Sequence, residues 1–337
     1  MVTIKDIAKH AGVSIATVSR VINGNYYVSP ETKEKVIKAL RELNYYPNSI
    51  ARSLKTYSTY TIGFLVSYIS NTHYTTIAKG VEEIVNEENY SLIACSTEEN
   101  KERELKYLKI LLSRRVDGLI INTTGENDEF IAKMSQNIPI VFVHRRIYAR
   151  DYRGDFVDFN CVQGSYDLTK HLLNLGHRKI FVINGKLSLS SGIEKFTGFV
   201  KAMSEVGIRV DDDYPYRYDG DYSVESGYQG AAHIMQMQDR PTAVVIMNNT
   251  MAMGAYRFFK NNQIKVPDEI SVASFVDIEN ADLMYVRPCV ATMNPWIVGR
   301  KAGELILDRI KGINNNREVI YESQVIPGDS VKPLTAW

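Results

Sequence analysis

Residues 11–24 of this chain read AGVSIATVSRVING. The hydroxyl of Ser14 can cap a helix that starts at the next residue, because it can accept a hydrogen bond from an otherwise unpaired backbone N–H of the first turn. Val18, Val21 and Ile22 then share one face of that helix. The segment therefore predicts a short amphipathic helix with one buried face and one exposed face.

A first helix over residues 4–11 precedes this segment. Thr3 and Asp6 form a variant of the capping box, and the apolar residues follow the i, i+3, i+4, i+7 spacing of one buried face. Gly12 ends the helix as a left-handed residue. Two helices joined by a tight turn that contains glycine predict a helix-turn-helix.

The second helix of such a motif presents its N-terminal residues to base edges in the major groove of DNA. Ile15 and Ala16 occupy that place, where small apolar groups can contact thymine methyls. Arg20 lies on the same exposed side, and the sequence leaves open whether it pairs with guanine or holds a phosphate. The alternative is an ordinary helical hairpin in which Ile15 and Ala16 only pack.

Two further helical segments follow. Ser29 caps a third helix with Pro30 at its first position, and the pattern continues to about residue 44. Tyr45, Tyr46 and Pro47 interrupt it. After that interruption, an asparagine at position 48 can cap a short helix over residues 49–56.

The composition limits the class of protein. The chain has 337 residues, 45% of them hydrophobic and 23% charged, which is typical of a soluble globular protein with two or three domains. No apolar run is long enough to span a bilayer and the first residues carry no export signal, so we expect a cytoplasmic location. The scattered cysteines, Cys95, Cys161 and Cys289, fit a reducing compartment and are expected to be three buried thiols.

The charge is unevenly distributed along the chain. Residues 1–60 carry a net charge of +5 and the rest of the chain carries −4. A basic head on a mildly acidic body favours a polyanionic partner for the head alone.

From residue 61 the pattern changes to buried strands that alternate with helices. One series runs from residue 62 to residue 143 and a second from residue 162 to residue 275. This alternation predicts parallel sheets covered by helices on both faces, hence two Rossmann-like lobes with a cleft at the carboxyl ends of the strands.

An enzyme built on the same fold remains an alternative. The sequence contains no Walker A loop, no GxSxG elbow, no GxGxxG and no HExxH motif. The six histidines form no metal-ligand pair at helical spacing. We therefore expect no catalytic residue, no metal and no cofactor.

The segments TIKDIAKHAGVSIATVSRVING, VSPETKEKVIKALRELNYYPNSIARSLKT and TIGFLV together resemble the opening of LacI/GalR-family transcription regulators. Later blocks, such as LTKHLLNLGHRKIFVING and GDYSVESGYQGA, extend the resemblance over nearly the whole chain. It implies an all-α helix-turn-helix head on an α/β core like that of periplasmic binding proteins. It also implies a homodimeric repressor of carbohydrate-related genes that a small effector, often a sugar or a nucleobase, controls.

The resemblance also implies domain boundaries. The DNA-binding domain would cover residues 1–47, the hinge helix and linker residues 48–60, and the effector-binding and dimerisation core residues 61–337. Within the core, the N lobe would comprise residues 61–160 and 292–321, and the C lobe residues 161–291 and 322–337.

In this family the hinge helix enters the minor groove of operator DNA. Leu54 matches the leucine that wedges into the central base step, so we expect a pseudo-palindromic operator centred on a CG step. The expected DNA-binding residues are Thr3, Ser14, Ile15, Ala16, Thr17, Ser19, Arg20, Asn23, Asn48, Ala51, Arg52, Leu54 and Lys55.

Matching the family position by position implies an effector site in the cleft. Its expected residues are His73, Tyr74, His144, Phe159, Ser191, Lys195, Tyr222, Asn249 and Val276. Four of them, at positions 144, 159, 249 and 276, stand where the family commonly has acids, whereas Lys195 keeps a positive charge. Because carboxylates commonly accept hydrogen bonds from sugar hydroxyls, this pattern favours an anionic or less hydroxylated effector, such as a sugar acid or a phosphorylated sugar.

Two alternatives accompany this hypothesis. Some of these positions could lie away from any ligand, or the cleft could have ceased to sense a small molecule. A solute-binding receptor with the same core is a further possibility, but the missing export signal and the DNA-binding head oppose it.

Overall fold

A computed structural model describes residues 2–23, 26–45 and 58–334 of the chain. The chain divides into two compact units, Met1–Thr59 and Tyr60–Trp337, which are called here the head and the core. The hinge helix expected over residues 49–56 lies outside the described residues. The same holds for its five expected DNA contacts, Asn48, Ala51, Arg52, Leu54 and Lys55.

The head contains the predicted helix-turn-helix. Its helices are α1 (Ile4–Ala11), α2 (Ile15–Asn23) and α3 (Pro30–Glu42). The Thr3 hydroxyl accepts a hydrogen bond from the Asp6 backbone, and the Asp6 carboxylate accepts one from the Thr3 backbone at 2.8 Å, which completes the capping box. Gly12 adopts a left-handed conformation with φ +64°, which allows the tight turn between α1 and α2. The three helices pack around Ile7, Val18, Val36 and Ala39.

The N lobe of the core is a six-stranded parallel sheet with strand order β11-β5-β4-β3-β1-β2. Its elements are β1 (Thr61–Val66), α4 (Thr72–Glu87), β2 (Ser91–Ser96), α5 (Lys101–Ser113), β3 (Gly118–Ile121), α6 (Asp128–Met134), β4 (Ile140–Val143), β5 (Asp155–Phe159), α11 (Pro295–Ile310) and β11 (Glu318–Tyr321). The central strands are buried because helices cover both faces of the sheet.

The C lobe has the same architecture with strand order β12-β10-β9-β8-β6-β7. Its elements are α7 (Cys161–Asn174), β6 (Ile180–Asn184), α8 (Ser190–Ser204), β7 (Arg217–Asp219), α9 (Val224–Gln236), β8 (Ala243–Ile246), α10 (Asn249–Asn261), β9 (Ser271–Phe275), the 3₁₀ helix Ala281–Leu283, β10 (Cys289–Thr292) and β12 (Gln324–Ile326). Strand β12 pairs with β10 in the antiparallel direction, so this sheet is parallel except at one edge.

The chain passes between the two sheets three times. It crosses after β5, again between β10 and α11, and finally between β11 and β12. The predicted alternation of strands and helices between residues 62 and 275 is present. Strand β5 and the elements after residue 275 lie outside the two predicted series.

Cys161 and Cys289 are buried as expected, but Cys95 is only partly buried, because β2 is the edge strand of its sheet. Within the described ranges, no helix is both long and apolar enough to span a lipid bilayer.

Candidate functional site

The exposed face of α2 lies where the sequence predicted it. Ile15 is 45% exposed, and Ala16 and Arg20 are also exposed, whereas Val18 is buried in the head. An isoleucine at the start of a helix with nearly half of its surface in water is not explained by packing within the head. The first turn of α2 therefore presents a small apolar surface to solvent.

The polar residues of the same turn hold the helix end in place. The Ser14 hydroxyl accepts a hydrogen bond from the Thr17 backbone at 3.1 Å and lies 2.9 Å from the Thr17 hydroxyl. Ser14 and Thr17 thus form the cap of α2, which positions Ile15 and Ala16. Thr3 caps α1 in the same way, Ser19 is partly buried, and the side chain of Asn23 is not among the described parts of the structure.

Two tyrosines near this face were missed by the sequence analysis. Tyr26 and Tyr27 are 74% and 90% exposed. The guanidinium carbon of Arg20 lies 5.8 Å from the centre of the Tyr26 ring, within the range of a cation–π contact. This contact limits the directions in which the Arg20 side chain can extend from α2.

In the core, all nine residues expected from the family resemblance line one cavity between the lobes. They are His73, Tyr74, His144, Phe159, Ser191, Lys195, Tyr222, Asn249 and Val276. The cavity volume is about 50 Å³. This is small beside the several hundred Å³ typical of pockets for drug-sized ligands, so the described geometry is that of a narrow, largely closed cleft.

The carboxyl ends of the parallel strands position this cavity. His144 directly follows β4, Val276 directly follows β9, and Tyr222 lies three residues after β7. These three residues have positive φ angles of 60°, 72° and 72°. Such backbone conformations are uncommon outside glycine, and for a β-branched valine they are strained. The packing of the surrounding core maintains these unfavourable backbone conformations, which are common at ligand-binding sites.

Tyr222 reaches the cavity across a glycine. A Cβ atom built on Gly185 would lie 2.0 Å from a carbon of the Tyr222 ring, so only glycine leaves room for the ring at that point. The Tyr222 hydroxyl lies 3.3 Å from the Ser191 hydroxyl. Burial raises the pKa of Tyr222, so this group is a neutral hydrogen-bond donor and an aromatic wall of the cavity.

Two histidines form a chain of hydrogen bonds in the cavity wall. The Nε2 atoms of His73 and His144 are 2.8 Å apart, and His144 Nδ1 lies 2.6 Å from Asp158 Oδ1. Burial, together with the neighbouring His144 and Lys195, holds the pKa of His73 well below its usual value. His73 Nδ1 is buried and has no hydrogen-bond partner among the described residues.

Lys195 is a buried cation. Its Nζ atom donates a hydrogen bond to the Met247 carbonyl at 3.2 Å and lies 4.6 Å from the centre of the Phe275 ring. No carboxylate of the described residues lies within 4.0 Å of this ammonium group. Burial therefore lowers the pKa of Lys195. A buried ammonium that lacks an ion-pair partner is costly and attracts an anion.

The cavity also contains charged residues that the sequence analysis missed. Arg145 and Glu99 form a buried ion pair with nitrogen–oxygen distances of 2.6 and 3.0 Å. Burial alone would lower the pKa of Arg145, but the Glu99 carboxylate outweighs it and the pKa is raised. Arg145 and Glu99 neutralise each other, whereas Lys195 makes no direct ion pair with a described carboxylate and interacts with Asp158 and Glu194 only at longer range. Six further residues line the cavity and were not predicted from the sequence: Ser67, Tyr68, Asn71, Cys161, Asn248 and Thr250.

One group of side chains could in principle ligate a metal. Potential ligand atoms of Asp158, Cys161 and Glu194 lie within 4.8 Å of one another. Burial raises the pKa of the Cys161 thiol well above its usual value, so the thiol is protonated. The Lys195 ammonium interacts electrostatically with all three groups, which disfavours a second cation there.

Comparison with known proteins gives two family matches. The model described as "Bacterial regulatory proteins, lacI family" matches residues 3–48. The model described as "Periplasmic binding proteins and sugar binding domain of LacI family" matches residues 59–332. The first match covers the helix-turn-helix and the second covers both lobes.

Individual relatives match over the full length. The HTH-type transcriptional repressor PurR of Photobacterium profundum is 36% identical over 337 residues, which are 99% of this chain and 100% of the relative. The repressor of the same name from Vibrio campbellii is 35% identical with the same coverage. Among solved structures, the Lac repressor dimer bound to operator and the anti-inducer ONPF has a TM-score of 0.85 and 26% identity, over 98% of this chain and 99% of that chain.

Proposed function

The chain belongs to the LacI family of bacterial regulatory proteins and is a DNA-binding transcriptional repressor with an effector-binding core, and on this basis we propose that two copies bind one pseudo-palindromic operator. The relatives are transcriptional repressors and not enzymes, in agreement with the sequence prediction. The proposed domain boundaries, and a cytoplasmic location, are those expected from the sequence.

The head reads the operator through the first turn of α2. Ile15 and Ala16 contact thymine methyls and sense groove shape, while Arg20 supplies a polar contact to guanine or phosphate. The support for this proposal is the exposure of all three side chains on one side of a capped helix. The contact with Tyr26 holds the Arg20 guanidinium near that side.

The hinge residues supply the second half of the DNA contact. Leu54 wedges into a central CG step from the minor groove and kinks the duplex, with Arg52 and Lys55 on the phosphates. This part of the proposal rests on the sequence alone, because residues 46–57 lie outside the described structure. Unstacking one base step costs a few kcal/mol, which the additional protein contacts offset.

Dimerisation fits the surface of the core. Large apolar side chains are exposed on both lobes, with Leu283 at 80%. These exposed side chains include Ile69 on the N lobe and Val224, Met253, Leu283 and Tyr285 on the C lobe. We assign these side chains to a second copy of the chain, because one helix-turn-helix makes a small interface and a two-fold axis doubles it.

The effector proposal rests mainly on one observation: the buried Lys195 ammonium forms no direct ion pair with a carboxylate of the described residues. An effector with a carboxylate or phosphate would supply that direct ion pair and accept hydrogen bonds from Lys195 and Ser191. Tyr222 and Phe159 would cover its apolar faces. We therefore propose a small anionic effector, such as a sugar acid or a phosphorylated sugar.

A nucleobase is the second candidate. The family includes regulators of both kinds, and the full-length relatives carry the name PurR rather than the name of a sugar. Aromatic walls suit a flat ring as well as a sugar face. Isothermal titration of the dimer against gluconate, glucose 6-phosphate, glucose and hypoxanthine separates these classes. Tight binding of glucose or hypoxanthine, with no binding of either anion, would overturn the anionic proposal.

An electrophoretic mobility shift assay tests the DNA-binding proposal. Duplexes selected from a random pool should carry two inverted half-sites, and binding should weaken steeply with salt because phosphates release counterions. Arg20→Ala and Leu54→Ala should each reduce the preference for the selected site over random DNA by about tenfold or more. Unchanged preference in both variants, or selection of a single half-site, would contradict the assigned roles.

A further inference from the structure

The two lobes of the core are hydrogen-bonded directly to each other in the wall of the cavity. Asn71, at the start of α4 in the N lobe, and Asn249, at the start of α10 in the C lobe, exchange two hydrogen bonds. Asn71 Nδ2 donates to Asn249 Oδ1 at 3.2 Å, and Asn249 Nδ2 donates to Asn71 Oδ1 at 3.1 Å. Asn71 Nδ2 also lies 3.2 Å from the Thr250 hydroxyl. We call these three residues the interlobe latch.

The backbone fixes the orientation of both amides. The His73 N–H donates to Asn71 Oδ1 at 3.1 Å, and the Thr250 N–H donates to Asn249 Oδ1 at 2.9 Å. Each side-chain oxygen is thus identified by a donor of its own helix, and each NH₂ group donates to the other lobe. The Asn249 NH₂ group also donates to the Asp277 carbonyl of its own lobe at 3.4 Å. The donor of each amide meets the acceptor of the other because the starts of α4 and α10 lie next to each other across the cleft.

A separate bridge joins the lobes through an arginine. The Arg146 guanidinium is held in the N lobe by Glu318, at 2.6 and 2.9 Å. The same side chain donates to Glu194 of the C lobe at 3.3 Å, and the backbone N–H of Arg146 donates to the Ser190 hydroxyl at 2.9 Å. Glu99 of the N lobe also lies 3.7 Å from Lys186 of the C lobe. The latch is therefore one of several direct contacts that hold the lobes together.

From these contacts we propose that the cleft closes through the protein's own residues, and that the interlobe latch makes the closed form the ground state of the core. A neutral amide pair satisfies its own donors and acceptors, so it needs no bridging ligand and no counter-charge. An incoming effector reaches the cavity only when the latch opens. The latch thereby sets how fast and how tightly the core responds to a small molecule.

The amide pair can be tested by substitution, because each asparagine supplies both a donor and an acceptor to the other. Asn249→Asp keeps the shape and the bonds that Oδ1 accepts, but it removes the donor to Asn71 Oδ1 and places two acceptor oxygens against each other. Asn249 is 7% exposed, so the new carboxylate is also poorly hydrated. Asn71→Ala removes the latch without adding a charge. Asn262→Asp, on the exposed end of the same helix, is the matched control.

Single-molecule fluorescence energy transfer between the lobes measures the closed fraction. The dyes are attached to cysteines introduced by Lys109→Cys and Arg209→Cys, at two exposed positions of the full chain. Cys95→Ser removes the partly buried native thiol. Labelled chains are then mixed with an excess of unlabelled protein, so that each dimer carries at most one labelled chain. Without any added small molecule, the parent and Asn262→Asp should show one narrow population of short distance. Asn249→Asp and Asn71→Ala should add a population of longer distance, with the open-to-closed ratio raised roughly tenfold.

Two results would overturn the proposal. One is a parent protein that already shows two populations of similar size, one at a short and one at a long distance between the dyes. The other is a pair of latch variants whose distances equal those of the parent. Circular dichroism and cooperative thermal unfolding verify that each variant is folded, and if Asn249→Asp does not fold, Asn71→Ala alone decides the question. Neither outcome depends on which effector the protein binds.

Discussion

The Nε2 atom of His73 lies 2.8 Å from the Nε2 atom of His144, although the two residues are 71 positions apart in the chain. At that distance one ring must donate and the other accept, so a single proton lies between the two Nε2 atoms. His144 is anchored on its other side by the Asp158 carboxylate at 2.6 Å. The pair sits at the ends of two elements of the N lobe and faces the cavity.

This arrangement predicts a loss of core stability in mild acid. Burial lowers the pKa of His73 from its ordinary value of 6.5 in the folded state, so below that pH the unfolded chain binds a proton that the folded core resists. The stability is fully present above about pH 7 and falls as the pH drops towards the lowered value. The expected slope for His73 alone is at most about 1.4 kcal/mol per pH unit. Calorimetric unfolding of the core between about pH 7.5 and about pH 5.5 measures it.

The variant His73→Gln should flatten that pH dependence. Burial also lowers the pKa values of His171 and His177, so part of the slope should remain. The control variant His10→Gln changes a histidine of the head, which is a separate unit, and should leave the core transition unchanged. An identical slope in the parent and in His73→Gln would refute the role given to His73.

A second prediction concerns Lys195. Replacing it with methionine keeps most of the volume and removes the buried charge, so an anionic effector should lose at least about tenfold in affinity. Binding of the selected operator by the free protein should persist, since the head is a separate unit. The matched control is Lys201→Met, an exposed lysine of the same helix, α8. Titration calorimetry with gluconate and with glucose 6-phosphate reports the outcome, and equal affinity in both variants would count against the effector proposal.

A third prediction concerns operator choice. Exchanging Ile15 and Ala16 together for a larger polar pair, such as Gln and Asn, should change the sequence selected from a random duplex pool. The head should remain folded, because both side chains are exposed and its core is built on other residues. The free energy of unfolding, measured by circular dichroism during heating, should change by less than about 0.5 kcal/mol. Recovery of the same operator by both proteins would show that these positions do not read the bases.

A fourth prediction concerns the stability of the N lobe. The fully buried Asp155 carboxylate accepts hydrogen bonds from the side chains of Arg309 and Arg317 at 3.1 and 2.8 Å. Asp155→Asn leaves a buried guanidinium without its counter-charge, so unfolding in urea should show a loss of about 3–5 kcal/mol. Asp308→Asn removes a more exposed partner of Arg317 and should cost about 1 kcal/mol or less. Equal losses in the two variants would contradict this account.

The local structure of the head was predictable in detail. Capping residues, a glycine that tolerates positive φ and a 3.6-residue apolar period act over a few neighbouring positions, so the sequence alone places α1, α2 and the turn between them. The alternation of strands and helices in the core was predictable for the same reason. The antiparallel edge strand β12 was not, because its pairing with β10 joins residues far apart in the chain.

The same distinction between local and tertiary information applies to the candidate effector site. The family resemblance named nine residues, and the fold brings all nine to one cavity. The resemblance did not reveal the Arg145–Glu99 ion pair, in which the two buried charges neutralise each other. It also did not reveal the contact between His73 and His144. The bonds between Asn71 and Asn249 were equally invisible, because no residue pattern encodes a contact across 178 positions.

The sequence by itself determined the helix-turn-helix, the two-lobed α/β core and the family, since these depend on short-range periodicity and on motifs at fixed spacing. Only the tertiary structure decided which charges in the cleft form direct ion pairs and which side chains join the lobes. Those properties depend on distances between residues from different strands and helices. Such distances are set by how the two sheets pack and face each other, and no local stretch of the chain contains that information.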